Sequence, residues 1–151
     1  MDLSGKKAVV FGGTSGIGLA AALLLARNGA EVTAVSRKPD KAGTVPSGVS
    51  LRACDVLDRS AVETVFNELS PIDILVTAAT GGKRAFGPFL EMDMDGYKGS
   101  FDKLWGYANV VRYGAKHVTD GGSITQYLVR QRGTASLDRL LYLQLVMLLK
   151  L

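Results

Sequence analysis

Cysteine, histidine and tryptophan each occur once in this 151-residue chain, as Cys54, His117 and Trp105. A lone cysteine closes no disulfide within the chain and points to a reducing compartment. A lone histidine, with no second ligand at metal spacing, indicates neither a metal site nor a catalytic dyad. The longest apolar run near the end, Leu140–Leu149, is interrupted by Gln144 and is too short to span a bilayer. Met1–Lys7 contain no apolar core of a secretory signal, so the cytoplasm is the expected location. A broad basic surface is also missing. The net charge is +4. Residues 126–151 hold Arg130, Arg132, Arg139 and Lys150 against Asp138, a net of +3, which leaves +1 for the first 125 residues. That distribution excludes a general nucleic-acid surface. Apolar residues at 47% and charged residues at 21% describe a globular chain with a sizeable core.

What is present is concentrated near the start. Ala8–Gly18 reads Ala-Val-Val-Phe-Gly-Gly-Thr-Ser-Gly-Ile-Gly, an apolar run entering a glycine-rich loop, and the helix-forming stretch Leu19–Arg27 follows at once. Strand, tight turn and helix in that order suit a diphosphate. Gly12 permits a turn closed to residues with a Cβ, Gly16 lets the backbone approach phosphate oxygens, and Gly18 lets the helix pack close to the strand. The helix N-terminus then offers free N–H groups and the positive end of its dipole.

The remaining chain alternates between the two element types. Strands are expected at Lys7–Phe11, Glu31–Val35, Val49–Ala53, Asp73–Ala78 and Ser123–Val129. Helices are expected at Ile17–Asn28, with Gly29 as the residue beyond its end, at a segment capped by Asp58 or Ser60 and running to Leu69, and at Tyr97–Val118. Lys38–Gly48 and Thr80–Pro88 read as loops, the first with one short helical turn, and Asp120-Gly121-Gly122 reads as a turn. Ala135–Lys150 has helical spacing. The fold class is therefore α/β: a three-layer, Rossmann-type, doubly wound parallel sheet of about five strands.

Several segments together resemble the short-chain dehydrogenase/reductase family. They are the Gly12-x-x-x-Gly16-Ile17-Gly18 loop, Gly29-Ala30-Glu31-Val32 followed by Ser36-Arg37, Cys54-Asp55-Val56, Asp73-Ile74-Leu75-Val76 and Gly121-Gly122-Ser123-Ile124. The matches cover about residues 5–125 and depart from the pattern at Phe11, where a threonine is usual. The resemblance implies an NAD(P)-binding Rossmann domain over 1–125 and a divergent tail over 126–151, basic and then leucine-rich. It implies hydride transfer between the nicotinamide and a small-molecule carbonyl or alcohol. The cofactor contacts it implies are Gly12, Thr14, Ser15, Gly16, Ile17, Gly18, Ser36, Arg37, Asp55, Val56, Ala78 and Ala79. An NAD enzyme needs an acidic side chain at the end of the second strand. Here Ser36 leaves room for a 2′-phosphate and Arg37 can pair with it, which favours NADP(H) over NAD(H). Asp55 is either a turn former or, as the resemblance favours, part of the adenine site.

The family's proton chemistry rests on Asn, Ser, Tyr and Lys. Lys103 stands in the asparagine slot of Asp102-Lys103-Leu104-Trp105-Gly106, as an exposed helix lysine or as a group that tunes a nearby tyrosine. The serine slot falls on Leu128 or Val129. The family's Asn-Asn-Ala-Gly segment is replaced here by Thr77-Ala78-Ala79-Thr80. No Tyr-x-x-x-Lys occurs, although Tyr142 lies at about the right distance for the tyrosine. Lys103 and Tyr142 are thus the candidate catalytic residues, with a core or interface role as the other reading of Tyr142. The alternative is a nucleotide-binding remnant without catalysis. The tail places Leu137, Leu140, Leu141, Leu145, Leu148 and Leu149 at helical spacing. It reads as a helix covering the core of a sheet left incomplete on its C-terminal side, as a dimer helix in a homo-oligomer, or as a shifted reading of the gene with no role.

Overall fold

The computed structural model describes residues 1–79, 85 and 88–127. Most of the expected Thr80–Pro88 loop, the end of the expected fifth strand at Leu128 and Val129, Tyr142 and the leucine-rich tail fall outside the described residues.

Five parallel strands form one sheet: β1 (Lys7–Phe11), β2 (Glu31–Ser36), β3 (Val49–Ala53), β4 (Ile72–Thr77) and β5 (Val118–Gln126). Their spatial order is β3-β2-β1-β4-β5, so the chain steps outward on one side of β1 and then restarts on the other. Val10 of β1 lies between Ala34 of β2 and Val76 of β4. A strand flanked on both edges and covered on both faces must be apolar throughout, and Ala8–Phe11 is fully buried.

Helices cover the two faces. α1 (Gly16–Arg27) packs Ala22, Leu25 and Ala26 against Ala8, Val10, Val32 and Ala34. On the other face α2 (Arg59–Leu69) contributes Val62, Val65 and Phe66. α4 (Asp102–Gly114) adds Val110 to the same cluster, which includes Val9, Phe11, Leu75 and Ile124. Phe66 sits at its centre, its ring 5.4 Å from that of Phe11 and 5.8 Å from the His117 imidazole. Gly114 is required there, because a Cβ would overlap the Phe66 ring.

The local signals explain most boundaries. α1 ends where expected: Gly29 takes φ +94°, its N–H reaches the Ala26 carbonyl and the Ala30 N–H reaches that of Leu25. Of the two candidate caps of α2, Asp58 serves, its carboxylate accepting from the Ala61 N–H at 3.1 Å and from the Ser60 hydroxyl at 2.7 Å. The short helical turn expected within Lys38–Gly48 lies at Pro39–Ala42.

Three elements differ from the sequence expectation. The fourth strand begins and ends one residue earlier than Asp73–Ala78. The helix expected over Tyr97–Val118 is two helices, α3 (Met94–Gly99) and α4. α3 starts early because Asp93 caps it, accepting from the Asp95 and Gly96 N–H groups. It ends at Gly99 because two glycines weaken it and the Ser100 hydroxyl takes the Gly96 carbonyl at 3.0 Å. The third difference is the turn expected at Asp120–Gly122, which is inside β5. Pairing with β4 steps from Ile72↔Val118 to Ile74↔Ser123, so the intervening residues bulge, and Gly121 adopts φ +76° to let them.

Asp73 ties β1, β4 and β5 at their N-terminal ends. Its carboxylate accepts from the Lys7 N–H at 2.9 Å, the Lys6 ammonium at 3.0 Å and the Thr119 hydroxyl at 3.3 Å. The Lys7 amide first, then the Lys6 ammonium, hold its pKa below the usual carboxylate value. A carboxylate with a depressed folded pKa stabilises above its unfolded pKa of ~3.9 and loses that contribution as pH falls through the folded value. Asp73→Ala is expected to lower stability by about 1–2 kcal/mol at neutral pH, with the difference from wild type shrinking below about pH 4. Urea titrations of both proteins across that pH range check it.

Candidate functional site

The site lies at the carboxyl ends of β1, β2 and β3, beside the point where the strand order reverses from β1 to β4. Open α/β sheets leave a crevice there. Gly12, Thr14, Ser15, Val35, Ser36, Arg37, Cys54, Val56 and Ala79 line it.

The turn after β1 makes the floor. Gly12 adopts φ +83°, and its N–H donates to the Val35 carbonyl at 2.7 Å. A Cβ on Gly12 would meet the backbone of Ala78 and Ala79 at 2.6 Å. The Ala78 N–H in turn donates to the Phe11 carbonyl at 2.7 Å. Gly13 is equally constrained, since its Cβ would lie 2.7 Å from the Val10 carbonyl oxygen and 2.9 Å from the Ala34 Cβ. A Cβ on Gly18 would overlap the Gly12 carbonyl. Gly16 differs from these three: it has φ +51° and open space where its Cβ would be.

α1 begins at Gly16, directly behind this turn. Ser15 occupies the N-cap position in an extended conformation but makes no capping hydrogen bond, and the first turn carries no acidic residue. The first-turn N–H groups of an α-helix have no intrahelical acceptor. The positive end of α1 is therefore open to an anion at the crevice. Thr14 is buried, whereas Ile17 is half exposed.

Ser36 and Arg37 form the wall at the end of β2. The Ser36 Oγ is buried without a hydrogen-bond partner, and Arg37 is exposed with no ion pair among the described residues. β3 leads into the opposite wall, where the Cys54 N–H donates to the Ser36 carbonyl at 2.9 Å. Burial first, then the Asp55 carboxylate, push the Cys54 thiol up to about 11. Asp55 itself does not line the crevice. Its carboxylate accepts from the Leu57 N–H at 3.0 Å, the turn-forming arrangement. Val56 is held from behind by α4: the buried Asn109 amide donates to the Val56 carbonyl at 2.9 Å, and a Cβ on Gly106 would come 2.7 Å from Val56 Cγ2.

The structure thus brings Gly12, Thr14, Ser15, Ser36, Arg37, Val56 and Ala79 to one crevice, with Gly16, Gly18 and Ala78 in the adjoining turn. Val35, Cys54, Gly13 and Asn109 belong to the same construction and carried no separate signal in the sequence. Asn109 in particular is legible only once α4 is known to pass behind Val56. Lys103 is not in the crevice lining; its Nζ sits 5.5 Å from the centre of the Tyr107 ring. The Tyr107 hydroxyl donates to the Tyr127 carbonyl at 2.6 Å.

The sequence profile described as short chain dehydrogenase matches residues 6–126. The chain belongs to the short-chain dehydrogenase/reductase family. It is 41% identical over 111 residues to the glycine betaine reductase of Emericella nidulans, covering 66% of this chain and 9% of that protein. It is 33% identical over 105 residues to the L-xylulose reductase of Mesocricetus auratus, covering 68% of this chain and 42% of the relative. Among solved structures it is similar to a short chain dehydrogenase from Burkholderia cenocepacia in complex with NADP, with a TM-score of 0.72, 28% identity, and coverage of 83% of this chain and 56% of that one. The chain therefore spans less than half the length of these curated relatives and just over half of the solved dehydrogenase. Among the described residues no helix is long and apolar enough to cross a membrane, and no cluster of metal-ligating side chains occurs.

Two outcomes test this construction. Gly18→Ala drives a Cβ into backbone and is expected to cost on the order of 3 kcal/mol or more, whereas Gly16→Ala adds only left-handed strain of about 1–2 kcal/mol; denaturant titration ranks them. Cys54 is expected to alkylate with iodoacetamide at pH 8 at least about tenfold more slowly in the folded chain than in urea, since its folded pKa exceeds the ordinary thiol value.

Proposed function

We propose that this chain binds NADP(H) in preference to NAD(H), through residues 1–125, as an NADP(H)-dependent short-chain oxidoreductase acting on a small carbonyl or alcohol. The observation that carries the reading is the pairing of Ser36 and Arg37 in the crevice wall opposite Cys54 and Val56, with no carboxylate at the end of β2. A ribose 2′-hydroxyl would lack its acidic acceptor there, whereas a 2′-phosphate would gain a guanidinium and a buried hydroxyl without another partner. The crevice fits such a dinucleotide on its own chemistry. The Gly12, Gly13 and Gly18 approaches leave no room for side chains, and the uncapped start of α1 suits a diphosphate.

In this reading Gly12, Thr14, Ser15, Gly16, Ile17 and Gly18 hold the diphosphate. Ser36 and Arg37 hold the 2′-phosphate. Val56 borders the adenine, with Asp55 shaping the turn beside it, and Ala78 and Ala79 lie along the nicotinamide half. When bound, the nicotinamide supplies or accepts a hydride. Lys103 and Tyr142 are the groups proposed to manage the accompanying proton, Lys103 by its ammonium and Tyr142 by its phenol. A thiol in the crevice wall suits a reducing, cytoplasmic setting.

A second reading is favoured by a specific observation. The serine slot holds Leu128 or Val129, no Tyr-x-x-x-Lys exists, and Thr77-Ala78-Ala79 offers no amide side chain. A binding protein without turnover satisfies these absences as well as an enzyme does.

Arg37→Glu is expected to weaken NADPH binding by about 10–100-fold, the value of one charge-assisted hydrogen-bonded pair, while leaving NADH nearly unchanged. Calorimetric titration of both nucleotides checks it, and equal losses for the two would contradict the 2′-phosphate assignment. NADPH oxidation with a panel of ketones separates the two readings. Turnover abolished by Tyr142→Phe supports the oxidoreductase, and binding without turnover supports the remnant.

A further inference from the structure

The chain between β3 and α2 has few holds on the rest of the molecule. Cys54 still donates its N–H to the Ser36 carbonyl of β2 at 2.9 Å. The bonds that follow are mostly local. The Asp55 carboxylate accepts from the Leu57 N–H at 3.0 Å, the Asp58 N–H donates to the Asp55 carbonyl at 3.0 Å, and Asp58 caps α2. Among the described residues, one hydrogen bond ties the segment after Cys54 to a distant element. It is the bond from the Asn109 amide to the Val56 carbonyl, at 2.9 Å.

Packing alone does not call for an asparagine at that place. Position 109 is on the buried side of α4, 8% exposed, with Gly106 and Val110. A leucine there would favour the helix more and carry no amide to desolvate. The amide's partner is a carbonyl of the crevice wall: Val56 lines the crevice and Asn109 does not. Gly106 acts on the same residue from the same helix, since a Cβ there would come 2.7 Å from Val56 Cγ2. α4 thus fixes both the backbone and the side chain of Val56.

We infer that Asn109 is a positioning residue for the adenine: it touches no ligand and acts by holding Val56 at the crevice. This rests on the dinucleotide reading and gives it a determinant outside the crevice. Its effect differs in kind from that of Arg37. Adenine is common to NADPH and NADH, so loss of the Asn109 bond weakens both alike, whereas Arg37 faces the 2′-phosphate of one. The glycine turn stands apart from Asn109. Gly12, Gly13 and Gly18 make their close contacts with β1, β2, one another and the chain just after β4. The effect of Asn109 is therefore confined to ligands that carry a base.

The test titrates the full chain with ADP, NADPH, NADH and inorganic pyrophosphate, which has the charge of the diphosphate without a base, and follows amide chemical shifts. Asn109→Leu keeps the volume and removes the donor. It is expected to weaken ADP, NADPH and NADH by a common factor of about tenfold, the value of one buried hydrogen bond. Pyrophosphate is expected to stay within about twofold, because the glycine turn is untouched. Unchanged ADP affinity in the folded variant overturns the inference. So does an equal loss for ADP and pyrophosphate, which marks general damage to the fold. Should Asn109→Leu fail to fold, Gly106→Ala takes its place, since it favours the helix while driving a Cβ into Val56. Loss of ADP with pyrophosphate retained then supports the inference, and unchanged ADP overturns it. A wild-type chain that binds pyrophosphate but no adenine nucleotide removes the nucleotide reading and this inference with it. ADP binding that is indifferent to Asn109 removes the inference alone.

Discussion

Backbone meets backbone where β1 turns into α1, and the rest of the molecule is arranged around that contact. Gly12 lies against the Ala78–Ala79 peptide, Gly18 against the Gly12 carbonyl, and Gly13 against β2. Any Cβ at these places would push α1 away from the sheet or β4 away from β1. The same closeness shapes the crevice. It draws the start of α1 and the ends of β1, β2 and β4 to within a few ångströms of one another, so a ligand at this spot meets N–H groups rather than side chains. Ser36 and Arg37 stand at the end of the next strand and line the same crevice.

Beyond this centre the structure is held by longer links. Asn109 reaches from α4 to the Val56 carbonyl, and Gly106 gives Val56 its space. The crevice wall on the β3 side is thus positioned by a helix more than fifty residues away in sequence. Phe66 serves the core in the same way, joining α2 to β1 and to the end of α4. A glycine at 106 or 114 reads in the sequence as a helix weakness. In the fold each is a point of contact.

The sequence was most legible where local signals and packing agree. β1, α1, β2 and β3 lie within one residue of their expected bounds, because unbroken apolar runs and glycine punctuation determine them. The Asp58 cap and the Gly29 terminus were readable for the same reason. Legibility fell after β4. The Ser100–Gly96 contact that breaks α3 from α4 depends on a side chain choosing a carbonyl over solvent, which periodicity does not report. The Gly121-Gly122 pair signals a turn equally well whether the strand ends there or bulges, and only pairing with β4 decides. In the site, the turn glycines and the Ser36-Arg37 pair were visible from spacing. Cys54 and Asn109 were not, because their role comes from register and from a helix crossing behind the crevice.

The bulge in β5 also bears on how the protein behaves in a crowded solution. β5 and β3 are the outer strands of the described sheet. A flat, regular outer strand offers an even row of donors and acceptors to any passing chain and seeds edge-to-edge aggregation. On β5 that row is interrupted between Val118 and Ser123, which leaves only Ser123–Gln126 in regular register. On β3 the outward Arg52 is paired with Glu68 across to α2, leaving a charged margin. Among the described residues, both outer strands thus carry an irregular or charged margin.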